Sequence, residues 1–399
     1  MNSKRLIVVL GMHRSGTSAV TRALQVMGIS LGDRILSPKD DNSKGFFEDV
    51  DVNSLNIEML AAVRSNWHHL APIESTQVDI LRERGYLLRA AEILRGKLDK
   101  TQLFAFKDPR VAKLLPFWKE VFDHCQLNVN YVLTIRNPLS VANSLTKRDG
   151  FALEKSYLLW LAHVLTSVIE SAGRPRVLID YDRLIEFPDR EIERIANALT
   201  LEIVPTERTI YKAEFLDKGL RHTVHNIDDL LCEKSCPPLV IEVYRTLLGV
   251  ASDKIKLDGI SFRNHLAGYA EEYSRLKATL VLADKAYSSV AAREQEINSA
   301  RETINGLAAE IEAARRAHAI RDETEQILRE SVMANEQEIN SARETINGLA
   351  AEIEAARRAH AIRDETERIL RESLAQRADE LECIREKFVF RLFEKLKIL

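Results

Sequence analysis

The C-terminal part of this chain lacks both proline and tryptophan. The 399-residue sequence contains 10 prolines and 3 tryptophans, and none of them follows Pro238. Proline is poorly tolerated inside helices because it removes a backbone donor and clashes with the preceding turn. Its absence permits long uninterrupted helices in the second part of the chain, whereas the first part has the mixed composition of a packed domain.

Cysteine and long apolar runs are also scarce. The cysteines are only Cys125, Cys232, Cys236 and Cys383, and no second Cys or His pair at zinc-site spacing accompanies Cys232 and Cys236. We therefore predict free thiols and a reducing, cytoplasmic setting. Because no stretch approaches the ~18 continuous apolar residues of a transmembrane helix, the short N-terminal run Leu6–Leu10 is interpreted as a buried strand.

Net charge is nearly absent as well. The sequence has 57 Lys+Arg against 60 Asp+Glu, a net charge of -3. A general nucleic-acid binder should be clearly basic, so that class is excluded. A small anionic ligand remains compatible with this balance because one local basic pocket is enough to bind it.

Short apolar runs alternate with helical patterns over residues 1–262. The strand candidates are Leu6–Leu10, Leu103–Phe106, Val129–Ile135 and Arg176–Tyr181. Strands that alternate with helices are typical of a parallel sheet covered on both faces. The sequence therefore predicts an α/β domain over residues 1–262.

An internal repeat marks the segment 263–380. Residues 294–331 recur at 336–373, an offset of 42 residues, with Gln326 replaced by Arg368 as the single difference. Apolar residues recur every seven positions with a second set three residues behind: Ile297, Ile304 and Ile311, then Ala300, Leu307 and Ala314. This spacing predicts a coiled coil. An antiparallel fold-back and a solvated single helix remain as alternatives.

The last segment, 381–399, is basic and amphipathic, with apolar Ile384, Phe388, Leu392 and Leu396 four residues apart. Such a helix can lie on a membrane surface, and peripheral contact with the inner membrane face is one interpretation. The other is that it ends the coil or packs on a partner protein.

One loop has the pattern of a phosphate-binding turn. Gly11-Met12-His13-Arg14-Ser15-Gly16-Thr17-Ser18 follows a predicted strand and precedes a predicted helix. In that context backbone N–H groups and the helix dipole bind phosphate. Thr17 stands where a nucleoside triphosphatase needs lysine, which argues against ATP or GTP hydrolysis. Arg14 supplies positive charge inside the loop.

A second pattern combines an arginine with a hydroxyl group. Arg136 ends a predicted strand, Pro138 suits the first turn of a helix, and Ser144 follows eight residues after the arginine. Arginine and a hydroxyl make a good phosphate clamp. A capped helix with a surface arginine is the alternative explanation.

Together the two patterns resemble the sulfotransferases that use PAPS (3′-phosphoadenosine-5′-phosphosulfate), in particular the bacterial branch similar to tyrosylprotein and carbohydrate sulfotransferases. The resemblance covers about residues 5–225 and implies a sulfotransferase-like, P-loop-type parallel sheet flanked by helices. It also implies that His13, Arg14, Ser15, Gly16, Thr17 and Ser18 bind the 5′-phosphosulfate, and that Arg136 and Ser144 bind the 3′-phosphate.

The resemblance gives further residues a role. Lys107, in Lys107-Asp108-Pro109-Arg110, would neutralise charge on the transferring group together with Arg14. Glu48 would be the general base, with Asp49 as the next choice. On chemical grounds alone His13, His68 and His69 are alternatives, since imidazole titrates near neutrality.

A basic stretch with Arg221 and His222 would close over the 3′ end of the nucleotide. The expected co-substrate is PAPS, and no metal is expected, because a sulfuryl group needs less neutralisation than a phosphoryl group. By family association the acceptor would be a hydroxyl or amine of a carbohydrate or glycolipid, and the coil would make a homo-oligomer. Two rivals are a P-loop kinase of a sugar or nucleoside, and a coiled-coil scaffold with a degenerate sulfotransferase domain.

Overall fold

The computed structural model describes residues 4–38, 44–216, 225–327 and 336–396. Within the last two ranges, side chains are not described at 318–327, 336–340, 382 and 384–396. The chain divides into two compact units, Met1–Glu294 and Gln295–Leu399.

The first unit is built on a four-stranded parallel sheet with strand order β2-β1-β3-β4. Its strands are β1 (Arg5–Gly11), β2 (Leu103–Lys107), β3 (Asn128–Ile135) and β4 (Arg176–Asp180). All four predicted strands are present, and the α/β fold class is confirmed. Parallel strands need crossover connections, and helices supply them here.

The helices of the first unit fill the connections between strands. They are α1 (Thr17–Leu24), α2 (Val50–Ala62), α3 (Ser75–Glu83), α4 (Tyr86–Leu98), α5 (Val111–His124), α6 (Pro138–Asp149), α7 (Leu153–Glu170), α8 (Tyr181–Glu186), α9 (Pro188–Leu199), α10 (Pro205–Ile210), α11 (Ile227–Cys232) and α12 (Pro238–Ala251). A short 3-10 turn, Gln25–Met27, follows α1, and a π-helical turn, Tyr211–Phe215, follows α10.

Two apolar clusters cover the two faces of the sheet. Leu6 and Val8 of β1 belong to the cluster that includes Trp118 and Trp160, whereas Ile7 and Val9 belong to the other cluster. This division follows from the alternation of side chains along a strand. Both faces of the sheet are therefore buried, which explains why β1 is a continuous apolar run.

The carboxyl ends of the strands meet at one edge. Gly11 at the end of β1 pairs in register with Thr134, Val9 pairs with Lys107, and Ile135 pairs with Asp180. The loops after β1, β2, β3 and β4 therefore leave the sheet side by side. In open parallel sheets this edge is where ligands bind.

The first unit extends past the predicted boundary at residue 262. Helix α13 (Ile260–Ile327) begins there, and its residues Phe262, Tyr273 and Leu280 are buried in the apolar core of the first unit. The compact unit accordingly ends at Glu294, 32 residues later than 262. The apolar residues at the start of the predicted coil segment pack on the domain, so this part of α13 is domain structure.

Asp284 of α13 binds the backbone of the segment that follows α2. Its carboxylate accepts hydrogen bonds from the backbone N–H of Leu70 at 2.6 Å and of Ala71 at 2.8 Å, and Tyr273 donates to the carbonyl of Leu70 at 3.2 Å. The buried ammonium of Lys113 donates to the carbonyl of Ala71 at 3.0 Å. A buried carboxylate and a buried ammonium thus hold this segment together.

The second unit is helical. Its described residues form the remainder of α13 and α14 (Glu336–Leu396). Residues 294–327 of the first copy of the repeat lie on α13, and the second copy, 336–373, lies on α14. Among the described residues, no helix is long and apolar enough to cross a membrane. The apolar positions of the basic segment 381–399 lie outside the described side chains, so its proposed membrane contact stays a prediction.

Replacing Asp284 with alanine should destabilise the first unit. The change leaves two buried N–H groups without their charged acceptor, at a cost of about 2 kcal/mol, and should lower the melting temperature by about 4–8 °C. Differential scanning calorimetry of the full chain measures this shift. Lys285→Ala, at an exposed neighbouring position, is the control, and an equal effect of both changes would contradict the assigned role of Asp284.

Truncation separates the observed boundary from the predicted one. A chain ending at Glu294 keeps Phe262, Tyr273, Leu280 and Asp284, whereas a chain ending at residue 262 loses the last three. We expect the first fragment to unfold cooperatively on heating and the second to be unfolded or aggregated. Circular dichroism melts of the two fragments test this, and a well-folded shorter fragment would show that α13 is dispensable.

Candidate functional site

The loop between β1 and α1 is held in a tight turn by its neighbours. Arg14 and Gly16 have positive φ angles of 66° and 81°, and Gly16 is the residue that caps α1. A Cβ on Gly16 would lie 2.0 Å from Cδ2 of Tyr181, and a Cβ on Gly11 would lie 2.7 Å from the carbonyl oxygen of Thr134. Close packing therefore requires glycine at both positions. The turn places the N-terminus of α1 at the edge of the sheet where the carboxyl ends of the strands meet.

Two polar atoms in this loop have no protein partner among the described residues. They are the buried Oγ of Ser15 and Nε2 of His13. Buried polar groups are nearly always hydrogen-bonded, so such atoms indicate a missing ligand or water. A bound phosphate or sulfate oxygen would satisfy the Ser15 hydroxyl, and the loop residues therefore fit an anionic ligand.

Arg136, Arg14 and Ser144 form one connected group. An N–H of Arg136 donates to the carbonyl oxygen of Arg14 at 3.3 Å, and Nε of Arg14 donates to Oγ of Ser144 at 2.8 Å. The two sequence patterns therefore meet in space, as their positions after β1 and β3 require. The hydroxyl of Ser144 contacts Arg14, and the joint binding of a 3′-phosphate by Arg136 and Ser144 stays a prediction.

Tyr181, the first residue after β4, was missed by the sequence analysis. Its ring lies against Gly16, and the guanidinium carbon of Arg136 lies 4.9 Å from the ring centroid. A cation over an aromatic face is attracted by the ring quadrupole. Tyr181 therefore joins the loop after β1 to the arginine after β3, and only the strand order β1-β3-β4 brings it there.

Lys107 and Glu48 form a buried ion pair next to the loop. Nζ of Lys107 lies 2.7 Å from Oε1 of Glu48 and 3.4 Å from Oγ of Ser18. Asn53 of α2 donates to Oε2 of Glu48 at 2.8 Å. Two predicted site residues thus lie in contact, and Lys107 links them to the start of α1.

The residues that orient this pair were not predicted. Asp108 accepts hydrogen bonds from Asn53 at 3.3 Å and Asn56 at 3.0 Å, and it also pairs with Arg110 at 3.0 Å. Asn56 in turn accepts from the indole N–H of Trp118 at 2.9 Å. The spacing of Asn53 and Asn56 on one helix face was a usable sequence signal, because residues three apart are neighbours on a helix.

Burial controls the protonation of Glu48. It raises the pKa of the Glu48 carboxyl above its ordinary value, while the positive charge of Lys107 opposes that rise. A raised pKa makes a carboxylate a stronger base, provided that it is ionised. The environment of Glu48 therefore favours proton acceptance more than a solvated glutamate would.

Asp49 has a structural position, although it was the second choice as base. Its side chain caps α2 by accepting from the backbone N–H of Asp51 and Val52, and its other oxygen lies 2.7 Å from Nζ of Lys97. Both oxygens are engaged in contacts that fix the start of α2. Because those contacts place Glu48, Asp49 orients the site without being available for proton transfer.

The three candidate histidines share an aromatic cluster with Trp67. The rings of His13 and Trp67 are 4.3 Å apart, Trp67 and His68 are 5.4 Å apart, and His68 and His69 are 5.8 Å apart. Burial lowers the pKa of His68 to about 4 and the pKa of His13 well below its ordinary value. A lowered pKa makes these half-buried imidazoles weaker proton acceptors, which favours Glu48 as the base.

The remaining predictions concern the nucleotide contact of Arg221 and His222, metal binding and the cysteines. Arg221 and His222 lie outside the described residues, and their predicted contact with the nucleotide stays a prediction. Among the described residues no group of three or more His, Cys, Asp or Glu side chains is arranged to hold a metal ion. The cysteines Cys125, Cys232, Cys236 and Cys383 are free thiols, as predicted.

Comparison with known proteins gives structural neighbours only. No protein-family profile matches the chain, and no curated protein matches it. The sulfotransferase domain of an olefin synthase from Synechococcus has a TM-score of 0.35 and 14% identity, with coverage of 68% of this chain and 95% of that domain. The sulfotransferase domain of the curacin biosynthetic pathway has a TM-score of 0.34 and 14% identity, with coverage of 69% and 99%.

A sulfotransferase from Mycobacterium tuberculosis has a TM-score of 0.33 and 12% identity, with coverage of 56% of this chain and 74% of its own. These three solved structures are a sulfotransferase and two sulfotransferase domains. At these TM-scores the similarity assigns no function, which has to be decided by the chemistry of the site.

Proposed function

We propose that this protein is a sulfotransferase that moves a sulfuryl group from PAPS to a hydroxyl or amine acceptor. One observation carries the proposal: an anion-binding turn without the lysine of a triphosphatase is joined through Arg14 to Arg136 and Ser144. A ligand with two separated phosphate ends fits this pair of cationic sites. PAPS has that form, with a 5′-phosphosulfate and a 3′-phosphate.

The nucleotide would be held by three groups. The backbone N–H groups at the start of α1 and the hydroxyl of Ser15 would bind the 5′-phosphosulfate, because the helix N-terminus attracts anions. Arg136 and Ser144 would bind the 3′-phosphate with charge-assisted hydrogen bonds. Arg14, which contacts Ser144 and Arg136, would contribute positive charge to both the 5′-phosphosulfate and the 3′-phosphate.

Transfer would be a single in-line displacement. The acceptor oxygen forms a bond to sulfur while the bond from sulfur to the bridging oxygen of the 5′-phosphate breaks, and 3′,5′-ADP (PAP) leaves with the electron pair. The proton of the acceptor passes to Glu48. An ammonium has three N–H donors, and the described contacts of Lys107 with Glu48 and Ser18 use two, so one is available for charge developing on the sulfuryl or bridging oxygen.

The acceptor proposal is a carbohydrate or glycolipid. Trp67 lies beside His13 of the anion-binding loop, and the Arg148 guanidinium is 5.3 Å from the Trp67 ring. A half-buried indole ring next to the transferring group would suit the apolar face of a sugar, and the arginine would suit its hydroxyl or acidic groups. These contacts support the class of acceptor and leave its identity to experiment.

A kinase of a sugar or nucleoside fits the same contacts less well. Its magnesium ion would bind the hydroxyl next to the loop, which here is Ser18, and an acidic residue at a neighbouring strand end. Nζ of Lys107 lies 3.4 Å from Oγ of Ser18, and Asp108 is fully buried in hydrogen bonds to Asn53, Asn56 and Arg110. A cation beside Ser18 disfavours a second cation there, so we favour sulfuryl transfer.

The nucleotide preference is the first test. Isothermal titration calorimetry should give tighter binding of PAP than of 5′-AMP by about 10- to 100-fold, because the 3′-phosphate adds charge-assisted hydrogen bonds worth about 1.5–3 kcal/mol. Arg136→Lys should reduce this ratio while 5′-AMP binding stays within about twofold, since lysine keeps the charge but loses the planar fork. Arg245→Ala on α12, an exposed arginine paired with Glu242, is the control. Tighter binding of ATP than of PAP would contradict the proposal.

The pH dependence tests Glu48 as base. Because the pKa of Glu48 is raised above its ordinary value of 4.5 and the ionised form accepts the proton, the transfer rate should fall as the pH decreases through that raised pKa. Glu48→Gln should lower the rate by about 10²- to 10⁴-fold and remove this acidic limb, with PAP binding retained. The rate is measured as PAP release from PAPS, first with water and then with a panel of glycan acceptors.

Glu58→Gln is the matched control for that experiment, because Glu58 is an exposed carboxylate on α2, the helix that follows Glu48, and is paired with Arg89. It should leave the pH profile unchanged. An unaltered acidic limb in Glu48→Gln would remove Glu48 from the mechanism while leaving the nucleotide-binding proposal standing.

A further inference from the structure

The helices of the second unit expose a regular apolar stripe. On α13 the exposed fractions are 56% for Ile304, 53% for Leu307 and 50% for Ile311. On α14 the corresponding residues are exposed by 63% for Ile346, 52% for Leu349 and 53% for Ile353. Both copies of the repeat expose the same face, so neither copy covers the other.

The spacing of this stripe selects a helical partner. Ile304 and Ile311 are seven residues apart with Leu307 between them, and the second set repeats this pattern 42 residues later, a whole number of heptads. A strict seven-residue repeat keeps its apolar seam facing a partner helix. β-Branched isoleucine at the first position with leucine at the second favours two parallel strands over three or four. The leucine is present at Leu307 and Leu349, and the other second positions of the two copies are alanine.

Charged residues beside the stripe determine the orientation of the two strands. Glu296 and Glu310 precede the first apolar position of their heptads, and Arg301 and Arg315 follow the second position. In a parallel, in-register pair, each of these glutamates faces the arginine five residues later on the other strand. Both pairs, Glu296 with Arg301 and Glu310 with Arg315, then join opposite charges.

The antiparallel arrangement has the opposite result. It brings glutamate flanks onto glutamate flanks and arginine flanks onto arginine flanks, and like charges at these positions are unfavourable. The second copy of the repeat keeps the pattern with Glu352 and Arg357, both exposed on α14. The charge pattern is therefore self-complementary in one orientation only.

We propose that two copies of this chain associate through residues 295–317 and 341–359 as a parallel, in-register, two-stranded coiled coil. The partner is a second copy because its own repeat supplies both the matching apolar seam and the complementary charges. This assembly is independent of the proposed sulfuryl transfer, since none of these residues belongs to the nucleotide site. The outcomes that remain are a monomer, a trimer and an antiparallel dimer, and experiment distinguishes all three.

Oligomeric state is measured first on the full chain. Sedimentation velocity and light scattering should give a dimer mass. Ile304→Asp with Ile346→Asp places two charges in the seam and should weaken dimerisation on the order of 100-fold or more. Ala309→Asp with Ala351→Asp introduces the same charges on the outer face and should leave the dimer intact. A wild-type monomer or trimer, or equal loss in both double variants, would overturn the proposal.

Cysteine cross-linking tests orientation and register. In a chain whose exposed Cys232 and Cys383 are replaced by serine, Ile304→Cys and Leu349→Cys are introduced separately. A parallel, in-register coil places each new cysteine beside its own copy, so both variants should form inter-chain disulfides under mild oxidation. An antiparallel coil can join at most one of these positions to itself, and cross-linking of one alone would overturn the parallel orientation.

Charge reversal tests the pairing of the flanks. Glu310→Lys places lysine opposite Arg315 of the other copy, and we expect the dimer dissociation constant to rise about tenfold at low salt. Combining Glu310→Lys with Arg315→Glu should restore it to within about twofold. Failure of the second change to restore dimerisation would show that these flanks do not face one another.

Discussion

The close packing of Tyr181 against both Gly16 and Arg136 is the constraint on which the arrangement of the site depends. No side chain fits at Gly16 because the tyrosine ring occupies its place, and the guanidinium of Arg136 lies over the same ring. Arg136 then binds the carbonyl of Arg14, and Arg14 reaches Ser144. One aromatic ring therefore fixes the distance between an anion-binding loop and a distant arginine, and the register of three neighbouring strands keeps that ring in position.

A second constraint is the cost of burying charge at the end of β2. Lys107 and Glu48 are almost fully buried, and an ion pair in that setting is tolerated only when hydrogen bonds satisfy the remaining polar atoms. Asn53 binds Glu48, while Asn53 and Asn56 bind the neighbouring Asp108. The amides of α2 thus allow a carboxylate with a raised pKa and an ammonium to stay next to Ser18. Asp49 contributes indirectly, because its cap and its contact with Lys97 determine where α2 begins.

Helix α13 belongs to both units of the chain. Its first half presents Phe262, Tyr273, Leu280 and Asp284 to the core, and Asp284 holds the segment that leads from Trp67 to Ala71. Its second half exposes isoleucine and leucine at heptad spacing. The difference follows from the partner that each half has: the first packs on the sheet domain, and the second has an apolar face that we assign to another copy of the chain.

The sequence by itself determined the fold class, the four strands, the glycine loop and the helical character of the repeat, because these depend on local spacing and on the turn geometry of Gly11 and Gly16. It also singled out Glu48, Lys107, Arg136 and Ser144, although their roles stay proposals. Only the tertiary structure decided that Ser144 contacts Arg14 and that Tyr181 packs against Gly16. It also decided that Asn53 and Asn56 orient the buried carboxylates and that the domain continues to Glu294. These features depend on strand order and on which helix face is covered, and residues distant in sequence determine both.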